Sequence, residues 1–179
     1  MGLLAAIMLA VYLANPFGTA SLDPRARLLG VALYKIPSRS MEPTLQQGDF
    51  ILANAARYAF AAPPVGARGV FRFPPQRRSA YVKRIAGIPG DRVRIDGGRL
   101  YVNERPVTEP YLAQQALRQP DSLRMAERTV PAGQYFMLGD NRDNSNDSRY
   151  WGYVPRADLV GRVFAVWYAE DTRRIGSVR

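Results

Sequence analysis

Ser38 and Ser40 stand one residue apart between Pro37 and Pro43, in the stretch IPSRSMEPTLQQGDFI (residues 36–51). Lys83 stands in YVKRIAG (residues 81–87). A hydroxyl and an amine make a nucleophile and its base, provided the amine is neutral. The chain contains no His and no Cys. Imidazole bases, thiol nucleophiles, disulfides and zinc–thiolate or His-bound metal sites are therefore excluded. Only all-oxygen sites for Ca²⁺ or Mg²⁺ stay open. Of 25 basic residues, only Lys35 and Lys83 are lysines. Arg cannot act as the base, because its pKa above about 12 keeps it protonated. A lysine against apolar surface gives up its proton more readily, by up to roughly 3–5 pKa units when fully buried. Read at period 2, AYVKRIAG puts Tyr81, Lys83 and Ile85 on one face and Val82 and Arg84 on the other. Lys83 thus shares a face with apolar neighbours. The same residues also fit a plainer picture, an ordinary Ser/Pro loop and a lysine whose stem snorkels to solvent.

The prolines fix φ and bias the residues before them to extended conformations, so the two serines sit on a stiff, turned loop. Such a loop can hold one hydroxyl at attack geometry and aim a second, or a backbone N–H, at an oxyanion. A third stretch, GDNRDNSNDSRYWGYVP (residues 139–155), gathers Asp140, Asp143, Asp147, Arg142 and Arg149 with three Asn and two Ser. Short polar side chains of this kind bond their own backbone and build rigid turns. A calcium loop of the EF-hand type needs Gly at position 6 and Glu at position 12. Counted from Asp143, those positions hold Ser148 and Val154, so the template fails.

The elements that must position these groups read as mostly β. Residues 48–54, 69–73, 80–87, 134–140 and 159–168 are short runs rich in Val, Ile, Phe and Tyr. Residues 91–107 alternate apolar and polar around Asp96-Gly97-Gly98, a hairpin pattern. Residues 110–129 are the one candidate helix after residue 25, broken at Pro120, and read equally as a polar loop. Residues 2–20 are uncharged, close to the roughly 20 residues of a membrane span. A signal peptide would want a basic leader, absent here. Arg25, Arg27 and Lys35 follow the apolar run, and the positive-inside rule alone would place the main domain in the cytoplasm. The net charge of +10 favours an anionic partner such as lipid headgroups or nucleic acid.

Taken in order, SRSMEPTL, YVKRIAGIPGD and GDNRDNSNDSRYWG resemble the three hallmark boxes of bacterial type I signal peptidases, which are membrane-anchored serine proteases with a Ser-Lys dyad. The resemblance covers roughly residues 34–168. It implies an antiparallel, barrel-like catalytic sheet behind an N-terminal transmembrane helix. It divides the chain into an anchor (1–20), a juxtamembrane linker (21–33), an extracytoplasmic catalytic domain (34–170) with a small accessory β segment (about 96–133), and a basic tail (171–179). It also implies roles. Ser40 is the nucleophile and Lys83 the general base; Ser38 and the Ser40 N–H hold the oxyanion; Ser145 orients the Lys83 amine. Asp147 and Arg149 form a supporting ion pair, and Asp140 braces their loop. Tyr34, Ile36, Met41, Leu45, Ile51, Tyr81 and Val82 build shallow pockets for small side chains. The implied substrates are exported preproteins, cut after Ala-x-Ala and paired as an added β-strand. The resemblance implies no cofactor, no metal and no nucleic-acid partner. It sets the enzyme in the bacterial cytoplasmic membrane with its catalytic domain outside, against the charge rule. Arg39, often a small residue in the family, would meet lipid phosphates, and the lipid partner would be anionic. A pilin-specific peptidase, a self-cleaving repressor and a catalytically silent basic module are the alternatives.

Overall fold

The computed structural model describes residues 2–112 and 117–178. The apolar N-terminus forms α1 (Gly2–Ala14), with no buried residue and with Leu3, Leu4, Ile7 and Leu13 exposed. It stops early because Asn15 takes positive φ and its side chain bonds both the N–H and the C=O of Thr19. Pro16 then cannot continue the ladder. Among the described residues no helix is long and apolar enough to cross a membrane. Where a spanning helix was expected, α1 has 13 residues and is about 20 Å long at 1.5 Å per residue. A second short helix, α2 (Pro24–Leu29), is capped by Asp23, whose side chain accepts from Arg25 N. Its Arg27 guanidinium lies 4.9 Å over the Tyr12 ring and ties it back to α1.

Strands then dominate, interrupted by the short α3 (Ala56–Phe60). They are β1 (Val31–Lys35), β2 (Phe50–Asn54), β3 (Arg68–Arg72), β4 (Ala80–Gly87), β5 (Arg92–Asp96), β6 (Arg99–Val102) and β7 (Arg105–Pro106). After them come β8 (Arg124–Thr129), β9 (Gln134–Leu138), β10 (Val154–Pro155), β11 (Leu159–Tyr168) and β12 (Gly176–Ser177). Every pairing recorded is antiparallel. The main sheet runs β1-β2-β11-β3-β4-β9-β10, with β12 paired to β11. The second runs β7-β6-β5-β8. Register breaks in β11 against both its neighbours, and in β4 against β9, add local twist and curl the main sheet. At Gly161 a Cβ would lie 2.8 Å from Asn54 O, so only glycine lets β11 approach β2 this closely.

The β5–β6 hairpin turns on Gly97 and Gly98, with φ of 57° and 80°, the double positive φ of a type I′ turn. The candidate helix at 110–129 is not one. Its described part is a single tight turn at Pro110–Leu112, the one-turn α4 (Pro120–Leu123), and then β8. Pairing along β5, with one register break, satisfies backbone groups that a Pro-broken helix would leave open. Residues 113–116 of that expectation lie outside the described residues.

Three large apolar clusters among the described residues hold the sheets, and a small one, Ala26, Ala32 and Ala55, packs α2 on β1. Ile36, Met41, Leu45, Ile51, Val70 and Val163 pack under the Ser38–Ser40 loop. Tyr58, Phe71, Ile85 and Met137 pack behind β4. Val93, Ile95, Leu100, Phe136 and Leu138 join the two sheets.

Candidate active site

The loop of residues 36–49 leaves β1 and returns into β2. Ile36 N donates to Asp49 O and Gly48 N to Ile36 O, each at 2.8 Å, so the loop is pinned at its base. Met41 and Leu45 sink into the core and fix its middle. Ser38 and Ser40 are left on the open side, their hydroxyls 3.2 Å apart. From β4, 43 residues on, Lys83 Nζ donates to Ser40 Oγ at 2.5 Å. Lys83 is only 3% exposed. Burial pulls its pKa down from 10.5 to about 8; the negative charges of Asp147 and Asp140 oppose this, and Arg149 assists it. A lysine with that pKa has a useful neutral fraction near pH 7 and can accept a hydroxyl proton.

The loop of residues 139–147 follows β9 and leads into α5 (Ser148–Trp151). Its charges are buried and paired. Asp147 caps α5 by accepting from Arg149 N, and its oxygens also take Arg149 Nε at 2.8 Å and Nη2 at 3.0 Å. Asp147 Oδ2 accepts from Gly139 N at 3.0 Å, while Arg149 reaches Ser122 Oγ and the Arg142 carbonyl. Asp140 receives two bonds from Arg84, at 2.7 and 2.5 Å, and one from Thr44 Oγ1 at 2.5 Å. Asn141 N donates to Ser40 O at 3.1 Å and stitches this loop to the serine loop.

Ser145 is placed differently from its expected role. Its Oγ is buried and makes no hydrogen bond among the described residues, to Lys83 or to any other group. The side chain lies against Gly139, where an added Cβ would stand 2.1 Å from that Oγ. Arg84, Thr44 and Glu109 are participants that the sequence reading assigned no part. Arg84 stands beside Lys83 in the same stretch; Thr44 and Glu109, which receives a bond from Arg142 Nη2, carry no local signal.

A cleft of about 300 Å³ opens beside Ser40. Tyr34, Ile36, Met41, Tyr81 and Val82 line it, together with Ser38, Lys83, Asn144 and Asn146. Leu45 and Ile51, expected in its wall, do not line it. They are fully buried beneath the loop, because they fill the core on which the loop rests. Two strand edges flank the cleft. β1 ends the main sheet, and β4 pairs with β9 only from Arg84 onward, which leaves residues 80–83 paired on the β3 side alone. Among the described residues no group of three or more carboxylates is placed to hold a metal ion.

A serine hydroxyl bonded to a buried amine, on a curled antiparallel sheet with an open peptide-sized cleft, has the parts of a hydrolase site that dispenses with imidazole. The chain belongs to the family described as signal peptidase, peptidase S26, whose model matches residues 3–168. Signal peptidase I of Pseudomonas aeruginosa is 42% identical over 180 residues, covering 75% of this chain and 63% of that protein. Signal peptidase I of Bacillus caldolyticus is 35% identical over 151 residues, covering 79% and 82%. The crystal structure of a signal peptidase I from Enterococcus faecalis superposes with a TM-score of 0.52 at 31% identity, covering 57% of this chain and 97% of that one. The chain spans 63% of the length of each of the Pseudomonas aeruginosa and Pseudomonas fluorescens relatives that it matches.

Proposed function

We propose that this protein is a membrane-bound serine endopeptidase that removes N-terminal signal peptides from exported preproteins, with Ser40 as nucleophile and Lys83 as general base. The observation that carries the reading is the 2.5 Å bond from Lys83 Nζ to Ser40 Oγ, made by an amine whose pKa burial lowers to about 8. Ser40 Oγ adds to the scissile carbonyl as its proton passes to Lys83 Nζ. The oxyanion takes hydrogen bonds from the Ser38 hydroxyl and the Ser40 N–H. The tetrahedral adduct collapses, the C–N bond breaks, and Lys83 returns the proton to the leaving amine. Water, deprotonated by Lys83, then hydrolyses the acyl-serine and regenerates Ser40.

The substrate adds as a β-strand between the edges of β1 and β4, where main-chain bonds supply affinity and shallow pockets supply selectivity. Tyr34, Ile36, Met41, Tyr81 and Val82 leave room in the cleft for side chains as small as Ala. Asp147–Arg149 and Asp140–Arg84 hold the loop whose Asn141 N–H bonds the Ser40 carbonyl. The apolar α1, with no buried residue, anchors the enzyme to the bacterial cytoplasmic membrane, with the catalytic domain on the outer side where exported substrates emerge. Anionic phospholipid is its surface partner, in line with the charge of +10. The purified protein in detergent, mixed with a preprotein whose signal ends in Ala-x-Ala, is expected to cut after the last Ala, as read by mass. Lys83→Arg keeps the positive charge but cannot supply a neutral amine, so cleavage is expected to fall to background. Substantial activity in a folded Lys83→Arg protein refutes the Ser-Lys mechanism.

A further inference from the structure

A second, larger cavity of about 470 Å³ lies behind the site, between β3, β4 and the second sheet, and Ser40 and Lys83 are not in its wall. Its size falls in the range of small-molecule sites, roughly 300–1,000 Å³. The wall carries Arg68, Arg84, Arg142 and Arg162, together with Thr44 and Tyr111. The four guanidiniums come from four places in the chain: β3, β4, the 139–147 loop and β11.

Two carboxylates meet them. Asp140 pairs with Arg84 and Glu109 with Arg142. No ion pair among the described residues involves Arg162, a neighbour whose positive charge is felt at Arg68. Even with Arg68 left aside, three guanidiniums face two carboxylates. Arg142 is 1% exposed, and two of its nitrogens are used: Nε donates to Gly139 O and Nη2 to Glu109. Its Nη1 is buried with no hydrogen-bond partner among the described residues. A buried donor or charge without a partner is costly, and Arg cannot escape by losing its proton. A surplus of this kind calls for an anion from outside the chain. Guanidinium forks match phosphate oxyanions bidentately, and the unused donor of Arg142 and the unpaired Arg162 come to this cavity from separate elements.

We propose that this cavity binds a phosphate group, carried either by a soluble phosphate or by the headgroup of an acidic lipid. Thr44 and Arg84 share Asp140, so the bound anion lies directly behind the loop that presents Ser40.

The test is calorimetric titration of the full chain in neutral detergent with inorganic phosphate and with a soluble short-chain phosphatidylglycerol. Phosphatidylcholine of the same chain length, zwitterionic with no net charge, is the control, and Arg162→Gln the comparison. Saturable one-to-one binding of an anionic probe is expected, weakened about tenfold in Arg162→Gln, as loss of a charged hydrogen bond implies. Binding of phosphate identifies a soluble ligand as sufficient; binding of phosphatidylglycerol alone identifies the lipid headgroup. Binding of neither, equal binding of the choline lipid, or undiminished binding by Arg162→Gln overturns the proposal. Should Arg162→Gln not fold, ¹⁵N-arginine spectra of the wild type decide. Either probe must move the Nε–H signals of Arg84 and Arg142, and unmoved signals overturn the proposal. No readout needs a peptide substrate, so a failed cleavage assay leaves this inference standing.

Discussion

Lys83 and Arg149 are buried cations in one site, yet each meets the cost of burial by a different route. Arg149 keeps its charge and is surrounded by Asp147, Ser122 and three carbonyls. Lys83 makes no ion pair with a carboxylate among the described residues, and its hydrogen bond goes to Ser40. The two arrangements depend on each other. Asp147 and Asp140 would hold the proton on Lys83, but Arg149 and Arg84 engage them directly, so desolvation prevails at the amine. A permanently charged side chain suits the brace; a side chain that can discharge suits the base.

The strongest way to break the comparison is Ser40→Ala. Cleavage is expected to fall about 10⁶-fold, as for loss of a nucleophile in serine proteases, with the fold intact by circular dichroism. Next is Arg149→Ala, which strands Asp147 and is expected to destabilise the fold by about 3–5 kcal/mol in denaturant titration. A loss under 1 kcal/mol would mean that the pair braces nothing. Lys83→Met should act in the opposite direction. The folded-state pKa near 8 lies below the ordinary 10.5, so the fold disfavours the bound proton. That penalty, on the order of 3 kcal/mol, is fully present below about pH 8 and fades as pH rises toward 10.5. The variant should therefore be inactive yet more stable than wild type at pH 7, with the gain shrinking by pH 10. A variant less stable at both pH values would contradict this reading of Lys83.

A gentler probe is pH itself. Cleavage measured as kcat/KM should rise about tenfold per pH unit up to about 8 and then level, as neutral Lys83 accumulates. A flat profile from pH 6 to 9 would remove Lys83 as the base. The smallest effect is expected at Arg39→Ala. Its pair with Glu42 has side-chain exposures of 71% and 23%, so stability should change by less than about 1 kcal/mol.

Much of the fold could be read along the chain, because strand alternation and turn residues are local. The β5–β6 hairpin, with its paired glycines, is the clearest case. The reading failed at residues 120–129, where local pattern admits a helix and a partner strand decides. It failed again at Leu45 and Ile51. Apolar residues near a nucleophile look alike in sequence whether they line a cleft or fill the core below it. The missed partners Thr44 and Glu109 lie 96 and 33 residues from the groups they serve.

By itself the sequence determined the chemistry that remained possible. With no His and no Cys, imidazole and thiol chemistry were ruled out, and one of two lysines, set among apolar neighbours, was a candidate base for a serine hydroxyl. Tertiary structure decided that these two groups meet. The antiparallel register that carries β4 past the serine loop sets the 2.5 Å contact, and closure of the core around it displaces the water that would keep Lys83 charged. Both depend on packing between distant segments, and the spacing of residues along a chain contains neither.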